Sequence, residues 1–167
     1  ETIALTYNPR FSGLVDEDHR VALVDVASGE MTAISPEDRH ASQASFSPDG
    51  TRLAYFMDRE ADYRAYLNAK DVVIRELKSE QERVLTGEQR LSMDGGSATP
   101  PRPPVWSDDG TWLYLEIADG TSRDLYRVAA ADGGIQRVTE LEGNVRAFSI
   151  SRQRLAFVES ELHRPGS

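Results

Sequence analysis

Phe46-Ser47-Pro48-Asp49-Gly50-Thr51-Arg52-Leu53-Ala54-Tyr55-Phe56 reads as two β-strands joined by a tight turn. Pro, Asp and Gly supply the turn chemistry, with Gly50 free to adopt positive φ. The stretch recurs as Trp106-Ser107-Asp108-Asp109-Gly110-Thr111-Trp112-Leu113-Tyr114-Leu115-Glu116. A weaker copy is Phe148-Ser149-Ile150-Ser151-Arg152-Gln153-Arg154-Leu155-Ala156-Phe157-Val158, which has no glycine in its turn. In every copy the leucine follows the aromatic by seven residues, which makes Leu53, Leu113 and Leu155 equivalent core positions. Ile3-Ala4-Leu5-Thr6 reads as a truncated copy.

Outside the hairpins, two further strands follow each copy except the last. Arg20 to Val26, Val72 to Leu77 and Leu125 to Val128 are β-rich, and each leads through a turn to a shorter partner: Met31 to Ile34, Arg83 to Thr86 and Ile135 to Thr139. The chain therefore reads as three strands, then four, four and two. Successive copies lie 60 and 42 residues apart. Four-stranded repeats of roughly 40–45 residues are the signature of β-propeller blades. The inner strands carry apolar residues on both faces, as in Leu53-Ala54-Tyr55-Phe56. That suits a sheet sandwiched between two neighbours. The predicted fold is all-β, an incomplete propeller of about two full four-stranded blades with a partial blade at each end. Within one domain over 1–167, the partial blades are 1–35 and 144–160, and the full blades are 43–87 and 103–140. Glu60 to Lys70 has the best helical pattern, one to three turns between two strands. Arg90 to Pro104, with Gly95-Gly96 and four prolines, reads as an extended connector. The chain opens in mid-strand and without Met, which points to a piece of a longer protein.

The hairpins, Phe46-Ser47-Pro48-Asp49-Gly50 above all, resemble the repeats of TolB-like propellers. They are also similar to those of the non-catalytic propeller of prolyl oligopeptidase family serine peptidases. The long insertion Asp58 to Lys70 is similar to the irregular blades of the acylaminoacyl-peptidase-like and dipeptidyl-peptidase-like members. The stretch Glu159 to Pro165 looks like the one that precedes the next strand in those propellers. The peptidase resemblance implies a partner, an α/β-hydrolase domain of the same parent chain, and peptide substrates whose access the propeller shapes. The TolB resemblance implies a protein-binding module with no enzyme attached. Under the peptidase reading, Arg59, Glu60 and Arg64 become candidate substrate-facing residues by their place in the insertion.

Composition narrows the chemistry. With 28 acidic against 19 basic residues the net charge is −9, which opposes binding to phosphate backbones, so no nucleic-acid partner is expected. No run approaches the ~18 apolar residues of a membrane helix, so no membrane partner is expected either. Cysteine is absent, which excludes thiol nucleophiles and Cys-based zinc sites. The nearest approach to a Gly-x-Ser-x-Gly elbow is Gly95-Gly96-Ser97-Ala98-Thr99, with Thr in the last place and Pro100-Pro101 where a helix must begin. His19, His40 and His163 have no metal-binding spacing. Asp16-Glu17-Asp18 and Asp58-Arg59-Glu60-Ala61-Asp62 offer oxygen ligands for calcium, but without the glycine and late glutamate of an EF-hand they read as solvated loop charge. No catalytic residue, metal ligand or cofactor is expected within the chain. A dimer of the isolated fragment, closing its open ends on a second copy, is expected from its unpaired strand edges.

Overall fold

The computed structural model describes residues 1–9, 18–59, 70–87, 102–119, 122–141, 143–152 and 154–160. Among them all regular structure is β, in thirteen strands. No helix among them is long and apolar enough to cross a membrane. β1 (Thr2–Tyr7), β2 (Arg20–Asp25) and β3 (Met31–Ala33) form a three-stranded antiparallel sheet. β4 (Ala41–Phe46), β5 (Arg52–Asp58), β6 (Lys70–Glu76) and β7 (Glu82–Val84) form a second, in that order. β8 (Val105–Trp106), β9 (Trp112–Asp119), β10 (Ser122–Ala129) and β11 (Ile135–Arg137) repeat the pattern, followed by β12 (Asn144–Ser151) and β13 (Arg154–Ser160).

The turn chemistry acts as the sequence indicates. Gly50 and Gly110 take φ of 69° and 67°, a region closed to most side chains. Asp49 accepts hydrogen bonds from the Thr51 N–H and from the hydroxyls of Ser47 and Thr51. Asp109 does the same with Thr111 and Ser107. Those donors favour the ionised form and hold both carboxyls at about 2. In the third copy Arg152 occupies the left-handed region at 49°, and its N–H donates to Asp108 of the preceding hairpin.

Two apolar layers fill the space between the sheets. Leu53, Tyr55, Met57 and Val73 meet Val21 and Ile34 of the first sheet. From the opposite face of the same strands, Ala54, Phe56, Val72 and Ile74 meet Trp106, Leu113, Leu115, Ile117 and Val128 of the third. The middle sheet is thus buried on both faces, and each large side chain so buried contributes roughly 1.5–3 kcal/mol. Trp106 also donates its indole N–H to the Ser45 carbonyl, and Arg52 lies over its ring at 4.8 Å.

The last hairpin departs from expectation. Leu155 is only half-buried, while Phe157 and Val158 are 41% and 59% exposed. Their counterparts Tyr55 and Phe56 are buried. The cause is positional: β13 ends its sheet, and among the described residues neither buried apolar cluster extends to β12 or β13. Nor does this hairpin form a sheet of its own. β11 covers only Tyr126–Val128 of β10, and at the exposed start of β10 the backbone of Arg123 pairs in parallel with Asn144 of β12. The result is a six-stranded sheet. The helical turns expected within Glu60–Lys70 fall on 60–69, outside the described residues, as does most of the connector, at 88–101.

Candidate binding rim

Each sheet turns tightly at one end, through 47–51 and 107–111 between its first two strands and through 26–30, 77–81 and 130–134 between its last two. The longer connections, including 8–19 and 59–69, therefore leave from the opposite end, and so do the passages from one sheet to the next. This end forms a rim lined by paired charges.

At the second sheet the feet of the 59–69 connection are fixed twice. Lys70 Nζ lies 3.0 Å from Asp58 Oδ1. The Arg59 guanidinium donates from Nη2 to Asp71 Oδ1 at 2.7 Å, from Nε to Oδ2 at 3.3 Å, and to the Thr86 carbonyl. Asp71 is buried and also accepts from the Thr86 hydroxyl, which in turn accepts from the Val72 N–H. The third sheet repeats the device. Fully buried Asp124 accepts from the Thr139 hydroxyl, the Leu141 N–H and the Arg137 guanidinium, while the Thr139 hydroxyl accepts from the Leu125 N–H. Arg137 is held further toward its charged form by this contact with Asp124. In the first sheet Ser35 takes the hydroxyl position beneath the Val21 N–H. There the charge is inverted: Arg20 replaces the aspartate and donates to Asp18 Oδ1 and the Pro36 carbonyl.

This latch was absent from the sequence reading, although it had a signal. Thr86 and Thr139 each follow their aspartate by 15 residues. The match is hidden in the first repeat, where Arg20 and Ser35 stand at the same places.

Of the candidate substrate-facing residues, Arg59 lies on this rim, 29% exposed and oriented by Asp71. Glu60 and Arg64 lie outside the described residues, as do Asp16, Glu17, Asp62, His163 and Gly95 to Thr99. His19 is exposed and His40 half-buried; their carbonyls accept from the N–H groups of Ala41 and Asp58. Asp18 and Asp58, from the two acidic clusters, are each ion-paired. No three His, Asp or Glu side chains gather as a metal site among the described residues.

A second concavity lies between the first and second sheets, a half-open groove of about 270 Å³. Leu23, Ile34 and Leu77 form part of its lining, and Asp25, Glu30 and Glu80 give it an acidic margin. Arg75 is committed to the Ile34 carbonyl and to Glu82. Glu82 also accepts from the Tyr55 hydroxyl, which burial and that carboxylate hold strongly in its protonated form.

No family model matches the chain, and no curated protein sequence does. Solved structures match it over almost its whole length. A protein described as TolB from Agrobacterium tumefaciens superposes with a TM-score of 0.71 at 18% identity, over 99% of this chain and 52% of that one. The fold is that of a β-propeller. TolB from Acinetobacter baumannii gives 0.62 at 12% identity, over 99% of this chain and 40% of its own. A protein described as a dipeptidyl aminopeptidase IV from Bacteroides ovatus gives 0.56 at 13%, over 89% and 25%. The chain thus spans about half the length of the first of these propeller proteins and less of the others.

Proposed function

We propose that this chain is a non-catalytic propeller segment of a serine peptidase, shaping the access of peptide substrates to an α/β-hydrolase domain of the same parent chain. In this reading it comprises two full blades, 43–87 and 103–140, with partial blades at 1–35 and 144–160. The observation that supports it is the rim at the second sheet. There the 59–69 connection leaves a doubly anchored base, and Arg59 is held in one orientation by buried Asp71. A fixed guanidinium at the foot of an insertion suits a peptide carboxylate or carbonyl. The likeness to the dipeptidyl aminopeptidase structure accords with it.

The test uses the parent protein. Arg59→Ala raises KM for peptide substrates several-fold and leaves turnover of a small aryl ester unchanged. Equal effects on both substrates, or a parent that lacks a Gly-x-Ser-x-Gly elbow downstream of Ser167, overturn the reading. A TolB-like protein-binding module is the second reading, favoured by the 0.71 superposition over 99% of the chain, and it is what a parent without the elbow selects. For the isolated 167-residue chain we propose a homodimer that covers Phe157, Val158 and Ile3, all exposed near the ends. Light scattering that gives a monomer at micromolar concentration removes it.

A further inference from the structure

Along β9 the side chains alternate. Leu113, Leu115 and Ile117 face the second sheet, so Glu116 faces the other way, on the side of the sheet that it shares with Leu125. In the repeat it stands where β5 carries Phe56. Its side chain is only 10% exposed, and Oε1 has no hydrogen-bond partner among the described residues. Arg102 Nε lies 3.7 Å from Oε1 and Arg123 Nη1 lies 3.7 Å from Oε2.

The same two arginines hold β12. Arg102 donates to the Arg146 carbonyl, and the backbone of Arg123 makes the single parallel pairing with Asn144. We propose that Glu116 is a charge-controlled joint: ionised, it loosens the attachment of β12–β13 to β8–β11, and neutralised, it tightens it. A buried carboxylate with one oxygen left without a hydrogen-bond donor is costly, and the cheapest relief is water entering the seam. Opening there breaks one backbone pairing and the contacts of Arg152 with Asp108 and of Arg102 with the Arg146 carbonyl, rather than a full ladder. A neutral carboxyl has no such demand.

Other charges nearby do not reverse the sign. Arg127, on the same face of the sheet, is stacked on Trp112 at 4.2 Å. Across the seam, β12 brings Arg146, whose guanidinium donates to Ser160 Oγ, and β13 brings Glu159, a second negative charge. Burial, the largest influence, raises the Glu116 carboxyl above its ordinary value, and attraction to Arg102 and Arg123, with a hydrogen bond from Arg123, only partly opposes it. A group raised in the folded state stabilises fully at low pH, and that contribution is lost as pH rises through its folded value.

Hydrogen exchange of the 167-residue chain tests the joint, with β5 and β6 as internal reference. After correction for intrinsic exchange, residues 144–160 exchange about tenfold more slowly near pH 5 than near pH 8, relative to the reference. Glu116→Gln exchanges slowly at both pH values. Arg123→Gln, which removes one compensating charge, steepens the dependence. The histidines are common to all three proteins and drop out of the comparison. A wild-type profile that does not differ from the reference overturns the proposal. So does a profile that Glu116→Gln leaves intact, or one that Arg123→Gln does not steepen.

Discussion

The seam between the second and third sheets and the seam between the third sheet and β12–β13 are built at equivalent repeat positions from opposite materials. The first closes over Phe56, Ile74, Leu113 and Leu115, with Trp106 and Arg52 at its edge. The second carries Glu116, two arginines at 3.7 Å and one backbone pairing, with Leu125 fully buried opposite Glu116 on the same face. The strands are alike; the seams differ because one residue of the repeat is aromatic in one copy and acidic in the next. Repetition of the hairpin thus fixes the backbone, while cohesion between units is set residue by residue.

If that contrast is right, truncation separates the two seams most strongly. Phe56→Ala destabilises by ~3–5 kcal/mol, whereas Phe157→Ala, at the position of Tyr55 in the exposed hairpin, costs under ~1 kcal/mol. Urea unfolding of the two variants measures it, and equal losses dissolve the distinction. Backbone contact gives the next largest effect. Gly133 and Gly29 occupy equivalent turns with φ of 79° and 73°. A methyl group at Gly133 would collide with the Leu85 carbonyl of the second sheet, whereas at Gly29 it meets nothing within 4 Å. Gly133→Ala therefore costs ~3 kcal/mol by forcing the sheets apart, and Gly29→Ala ~1 kcal/mol from backbone strain alone.

Filling the polar seam acts in the reverse direction. Glu116→Leu raises stability by ~1 kcal/mol near neutral pH, since an under-compensated buried charge gives way to apolar packing. A melting temperature below wild type would show the ion pairs to be worth more than their burial costs. The smallest effect concerns the turns. Asp49 and Asp109 are held at about 2, so the stability they supply is complete above about pH 4 and lost as pH falls toward about 2. Asp49→Asn and Asp109→Asn flatten the acid limb of a melting-temperature profile equally. An unequal response would mean that the two hairpins are not equivalent.

Much of the strand order was legible because the hairpin signal is local. Aromatic, turn triplet and leucine lie within eight residues, and Gly50 and Gly110 mark the turn by a backbone requirement that shows directly in sequence. The fate of Leu155 and Phe157 was not legible: periodicity says which way a side chain points, not whether another sheet stands there. The rim latch joins residues about 15 apart through a hydroxyl and a carboxylate, types common enough in loops to pass unnoticed. Glu116 was visible in the repeat alignment opposite Phe56, but its arginines lie on other strands. Arg59 was singled out for its place in the insertion; its partner Asp71 becomes apparent only once β5 and β6 are paired.

The two ion pairs at the feet of the 59–69 connection bear on engineering. Asp58 with Lys70, and Arg59 with Asp71 and Thr86, close the base of that excursion independently of what lies along it. Lengthening a loop whose ends are already held together adds little closure entropy, since doubling a loop costs only about 0.6 kcal/mol. The site should therefore accept a grafted epitope or an inserted domain with small loss of stability. Natural variation in length there would be tolerated for the same reason.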